Sequence, residues 1–185
     1  MSAQSFSMLM VAVVLVCYLG IAIRAWWRFR GTRVITCPET RRAAGVTVDV
    51  GHAMVSAVWE RADVKIAACS RWPERRGCEE TCVPEIEASP EGTRVSTMAA
   101  RFFQGRRCVL CQRRIGPLKG AAHQPGFMDT LTRQVVPWMQ VPAADLPDAI
   151  ARRRPLCPDC TLAESSRDPY PITYQRVRCG PAPRP

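Results

Sequence analysis

Ten cysteines stand against two histidines in this chain, and most of them fall into two groups of four. Cys108 and Cys111 form one C-x-x-C unit, and Cys157 and Cys160 form another. Zinc takes four soft ligands in a tetrahedron, and a two-residue spacer lets one tight turn present two thiolates to the same ion. The second pair opens an expected helix over residues 161–167, where the helix dipole favours thiolate. Rubredoxin-like iron and a redox dithiol draw on the same residue types and stay open as alternatives. Cys37, Cys69, Cys78 and Cys82 are less regular. Cys78 and Cys82 are spaced so that both thiols share one face if the segment is helical, while Cys69 belongs to a loop and Cys37 to a strand end. Together they can close a second tetrahedral site; a disulfide or an iron–sulfur cluster would use the same thiols. Cys17 lies in an apolar run, and Cys179 has no near neighbour.

The only imidazoles, His52 and His123, add little. His52 is expected at a helix start without ligand spacing to any cysteine, and His123 lies between the C-x-x-C pairs, where it can replace a ligand. Neither has a carboxylate or nucleophile recognisably arranged beside it. A phosphate-cradling glycine loop, a metalloprotease helix and the heme attachment sequence C-x-x-C-H are all missing. The residues point away from an enzyme.

The elements that must position these thiols are short. Residues 33–36 read as a strand leading to Cys37-Pro38-Glu39-Thr40, and Val46, Val48 and Val50 alternate with polar residues at the period of a half-buried strand. Residues 52–61 read as a short buried helix and 64–68 as another strand. Pro84 would break a helix carried through from Cys78. Residues 89–92 mark the best internal boundary. Thr93 is the expected N-cap of a helix with Val95, Met98, Ala99 and Phe102 on one face and Gly105 as its stop. Pro137 interrupts a β candidate at 134–141. Residues 145–153 form an expected helix whose Asp148 and Arg152 suit the macrodipole.

Over residues 108–167 the second cysteine group resembles a treble-clef or zinc-ribbon finger. In that family one knuckle precedes a β-hairpin and the second pair lies in the first turn of a helix. Two departures stand out: the insert over 112–156 is long, and Gln112 and Thr161 replace the glycine usual after each knuckle. The segments around Cys37, Cys69-Ser70-Arg71-Trp72-Pro73, Cys78 and Cys82 are also similar to bacterial membrane-anchored proteins, a resemblance that carries over no activity.

Residues 1–23 contain no charged side chain. The run 6–23 is about 18 residues and spans roughly 27 Å as a helix, close to the hydrocarbon thickness of a bilayer. A cleavable signal would want basic residues before the run and small residues after it, whereas Arg24 and Trp26 follow. Arg24, Arg28, Arg30 and Arg33 lie on one side only, so the short amino end is expected outside and the bulk in the cytoplasm. Trp26 and Trp27 suit the headgroup level. The arginines serve topology first and anionic lipid second. In a reducing compartment the thiols favour metal over disulfide. The net charge of +10 is spread in short runs, and only Lys65 and Lys119 of the 26 basic residues are lysines, which argues against a dedicated nucleic-acid surface.

The expected architecture is therefore α+β: an extracytoplasmic end (1–5), a transmembrane helix (6–23), a basic juxtamembrane segment (24–33), a first four-cysteine subdomain (34–90), a second, treble-clef-like four-cysteine subdomain (91–169) and a proline-rich tail (170–185). The expected function is that of a zinc-binding adaptor or accessory subunit with a protein partner at the cytoplasmic membrane face. A membrane-tethered redox protein and a membrane-tethered nucleic-acid-binding regulator are the competing readings.

Overall fold

The uncharged run forms one helix, α1 (Ala3–Phe29), of 27 residues, about 40 Å at helical rise. It is long and apolar enough to cross a membrane, and nothing in its apolar window is buried against protein. The computed structural model describes residues 3–72, 78–118 and 124–166. His123, Cys179 and the tail from residue 170 lie outside the described residues. By contact density the chain divides into two units, Met1–Met98 and Ala99–Pro185.

In the first unit β1 (Thr32–Thr36), β2 (Ala43–Val48) and β3 (Ile66–Cys69) form an antiparallel sheet in the order β1-β2-β3. The alternation read from sequence holds in β2, where Ala44, Val46 and Val48 are buried and the residues between them are half-exposed. Val50 does not continue the strand. Asp49 accepts a hydrogen bond from the His52 amide at 2.9 Å and caps α2 (Val50–Trp59), which takes Val50 as its first residue. The expectation of a buried helix here is corrected: only Ala53 is buried, while Val55 and Trp59 are exposed. The short helix α3 (Val83–Ala88) starts after Cys82 with Pro84 in its first turn, where a missing N–H costs nothing. Cys78 and Cys82 are thus not two positions on one helix, because Pro84 begins the helix instead of lying inside it. Phe29, Ile35, Ala44, Val46, Val48, Ala53, Val64, Ile66 and Ile86 make the core.

The last turns of α1 belong to that core, with Ala25 and Phe29 buried. Arg33 is fully buried too. Its guanidinium donates to the Pro90 and Arg28 carbonyls and, at 3.2 Å, to Thr93 Oγ1. Arg94 donates to the Trp27 and Arg28 carbonyls at 2.6 and 3.1 Å. These carbonyls end α1 and lack an intrahelical partner, so two arginines cap the negative end of its dipole. Thr93 is not the N-cap expected of it: its hydroxyl bonds the Ser89 carbonyl and the Arg33 guanidinium, and its carbonyl accepts from the Val34 amide at 2.7 Å.

The helix α4 (Val95–Phe103) straddles the division between the units. In the second unit its Phe102 and Phe103 rings pack on Phe127, with centroids 5.3 and 5.0 Å away. Gly105, at φ 76°, follows it as the expected stop. The strands β4 (Gly126–Met128), β5 (Val135–Pro137) and β6 (Arg154–Leu156) form an antiparallel sheet in the order β5-β4-β6. Pro137 ends β5 in a 3-10 turn, Trp138–Gln140. The helix α5 (Leu146–Arg152) buries Leu146 and Ala149 and carries Asp148 and Arg152 at the ends the macrodipole favours. Finally α6 (Pro158–Ser165) follows β6 directly, with Cys157 as its N-cap residue.

Glycine is required at one place in this sheet. A Cβ at Gly126 would lie 2.8 Å from Thr161 Cγ2 and 3.0 Å from the Val136 carbonyl oxygen. The absent side chain lets β4 touch α6. Gly126→Ala should cost about 1–3 kcal/mol by overpacking, read as a lower denaturation midpoint; an unchanged midpoint would refute this close approach.

Candidate metal centre

The centre begins as a tight turn. The Cys108 amide donates to the Arg113 carbonyl at 2.9 Å, and the Gln112 amide donates back to the Cys108 carbonyl at 3.0 Å. Gln112 adopts φ 58°, the left-handed conformation for which glycine is the default. The missing glycine therefore changes the residue and not the turn. A bridge between Arg107 and Arg114 closes its base, and the Val109 amide donates to the Pro155 carbonyl at 3.0 Å. That last bond ties the turn to β6, two residues before Cys157. At Thr161 no glycine is needed, because the chain is already helical there; its hydroxyl donates to the Cys157 carbonyl at 3.0 Å.

The result is convergence. The sulfurs of Cys108, Cys111, Cys157 and Cys160 all lie within 4.8 Å of one another, and Cys111 Sγ is 3.6 Å from Cys157 Sγ. Zn–S bonds of about 2.3 Å in a tetrahedron place sulfurs about 3.8 Å apart, so these sulfurs, none more than 4.8 Å from another, stand near the spacing of a tetrahedral thiolate site. Cys108 and Cys157 are buried, Cys160 is half-buried and Cys111 is exposed. None of the nine described cysteines is in a disulfide.

Burial opposes ionisation of Cys108, yet main-chain amides of Cys111, Cys157 and Leu110 hold its thiol down at about 7. Burial pushes Cys157 up, and burial followed by hydrogen bonds to Cys157, Cys111 and Cys108 pushes Cys160 up. Main-chain amides thus favour charge on Cys108, while burial disfavours it on Cys157 and Cys160. Two unit charges 4 Å apart repel by about 4 kcal/mol at an effective dielectric of 20. Cys108, Cys111, Cys157 and Cys160 would hold a divalent cation, whose charge would offset that repulsion. The Arg113–Asp159 pair, 3.2 Å apart, also links the turn to α6 but is well exposed, so it adds little.

The first cysteine group is arranged differently. Cys37, Cys69, Cys78 and Cys82 all line one cavity of about 30 Å³, together with Trp72 and Arg71. Burial pushes the Cys82 thiol up to about 11, and Cys78, Cys69 and Cys37 add to the shift.

No carboxylate is recognisable beside His52 in the sequence, but in the fold its Nε2 lies 2.8 Å from Asp63 Oδ2. The chain between them turns back on itself, a proximity that spacing does not reveal. His52 holds the Asp63 carboxyl below its usual range. Ser56 does not complete a triad, since its hydroxyl donates to the His52 main-chain carbonyl at 2.8 Å. Of the four arginines assigned to lipid, Arg24 and Arg28 are exposed and Arg30 lies over the Trp26 and Trp27 rings at 4.6 and 3.4 Å. Arg33 must be withdrawn from that set, because it is buried under the end of α1. No family model, curated protein or solved structure matches this chain.

Proposed function

We propose that this chain is a single-pass membrane protein whose second unit is folded around a zinc ion in a treble-clef-like finger. It acts as an adaptor or accessory subunit at the cytoplasmic membrane face. The observation that carries this reading is the meeting of Cys108, Cys111, Cys157 and Cys160 within 4.8 Å. A closed set of four thiolates leaves no coordination position for a substrate, which is the arrangement of structural zinc. Exposed apolar side chains beside the cysteines, Leu110 and Leu162, offer a partner a contact surface. Retention of α1 as an anchor is supported by its length and by the cationic flank that follows it, and the same flank favours a cytoplasmic second unit.

The test is metal analysis of the full chain purified in detergent, joined to thiol labelling in intact cells. Zinc bound to a colourless protein, with a Leu131→Cys variant shielded at that exposed position from a membrane-impermeant reagent, is the expected result. Visible iron absorbance would replace zinc by an electron-transfer centre, and labelling of the Leu131→Cys variant from outside would reverse the topology.

A further inference from the structure

The first unit repeats at Cys37 the turn that builds the second unit's metal knuckle. The Cys37 amide donates to the Arg42 carbonyl at 2.9 Å, and the Arg41 amide to the Cys37 carbonyl at 2.7 Å. Arg41 takes φ 52°, as Gln112 takes 58°. This turn is not by itself a metal signature. Asp129 makes it as well, bonding Gln134 and Arg133 at 3.0 and 3.1 Å, and there the Asp129 carboxylate only accepts from the Leu131 and Thr132 amides. What separates Cys37 from Asp129 is its surroundings.

Thr40 stands where the second knuckle ligand would be. The turn therefore supplies one thiolate, and three others come from elsewhere in the unit. Cys69 ends β3, opposite Val46 of β2, and the Trp72 amide bonds the Cys69 carbonyl at 3.1 Å, folding the following loop back. Cys82 immediately precedes α3, and Cys78 lies in the approach to it. All four line the same cavity, whose other walls include Ile35, Ala44 and Trp72. Its volume, about 30 Å³, exceeds the roughly 10–15 Å³ that one water-sized occupant needs. Four thiols lining one cavity, which Arg71 and Glu39 also line, are a donor set for a soft cation, although their sulfurs are not gathered as those of Cys108, Cys111, Cys157 and Cys160 are.

We propose that Cys37, Cys69, Cys78 and Cys82 close on a second soft divalent metal ion, zinc by its donor set, independent of the cluster at Cys108. Binding draws the four sulfurs inward from the cavity wall and links the sheet to α3.

Metal content of the full chain in detergent tests this directly. Wild type should hold two equivalents by elemental analysis. Cys37→Ser/Cys82→Ser should hold one, and Cys157→Ser/Cys160→Ser should also hold one. The two double variants read the two sites separately, so failure at one does not stand for failure at the other. A second readout needs no variant: in native wild type the first-unit thiols should resist alkylation until a zinc chelator is added. One equivalent in wild type, unchanged by Cys37→Ser/Cys82→Ser, would overturn the proposal. So would alkylation of the four thiols without chelator, a Cys78–Cys82 disulfide found by mass spectrometry, or labile sulfide with visible iron–sulfur absorbance.

Discussion

Cys157→Ser should unfold the second unit and not merely empty a site. The core available to that unit is small: Phe102, Phe103, Phe127, Val136, Leu146 and Leu156 are its main buried apolar side chains. A structural zinc ion contributes on the order of 10 kcal/mol to the folding of such a unit, comparable to the whole stability of a typical domain. Serine is nearly the size of cysteine and is a better N-cap, so the start of α6 should gain locally from the change. Any collapse must then come from the lost ligand. Limited proteolysis and near-ultraviolet circular dichroism should show loss of protection across residues 99–166, and chelation of wild type should reproduce it. Cys17→Ser, in the exposed face of α1, should leave both unchanged. If Cys157→Ser keeps a cooperative unfolding transition and protease resistance, the cluster is not what holds the unit together.

That centre was legible in the sequence because its information is local. Two C-x-x-C units and a helix beside the second are statements about neighbours along the chain; the helix was expected over 161–167 and instead begins at Pro158, taking Cys160 into its first turn. The glycine missing after Cys111 looked like a departure from the finger pattern. In the fold Gln112 takes the left-handed conformation that glycine adopts freely, at a cost of about 1–2 kcal/mol. The need for Gly126 was not legible, since it depends on Thr161, a residue brought against it only by the sheet and α6. The same limit explains α2. Its composition is that of a buried helix, but burial depends on how many faces find partners, and Val55 and Trp59 find none among the described residues. Strand β2 was easier, because alternation states which side is inside without naming what covers it.

Arg33 is the clearest case of a residue whose role is opposite to its position in the chain, and its replacement should be the most damaging single change in the first unit. Its place among Arg24, Arg28 and Arg30 reads as one more cation for topology or anionic lipid. The fold instead buries it and aims its guanidinium at the Arg28 and Pro90 carbonyls and at Thr93. Burial, then repulsion from Arg94, holds its pKa down at about 10, with Glu91 opposing and Arg28 adding to the fall; the group is still charged at neutral pH. Arg33→Ala leaves a cavity and takes a donor from the Pro90 carbonyl and Thr93 Oγ1, while the Arg28 carbonyl keeps its bond from Arg94; an orphaned buried group costs about 1–3 kcal/mol. A net loss of about 3 kcal/mol is expected, because removing the buried charge also removes its desolvation cost. Arg33→Lys should rescue only in part, since an ammonium cannot reach in a planar fork toward acceptors on two sides. Arg24→Ala, at an exposed site, should change stability by no more than about 0.5 kcal/mol. Chemical denaturation of the full chain in detergent separates these outcomes. A lipid-facing Arg33 would show the reverse pattern, with weakened binding to anionic vesicles and an unchanged denaturation midpoint. The buried arginine is thus a structural bolt between the end of α1 and the sheet that carries Cys37.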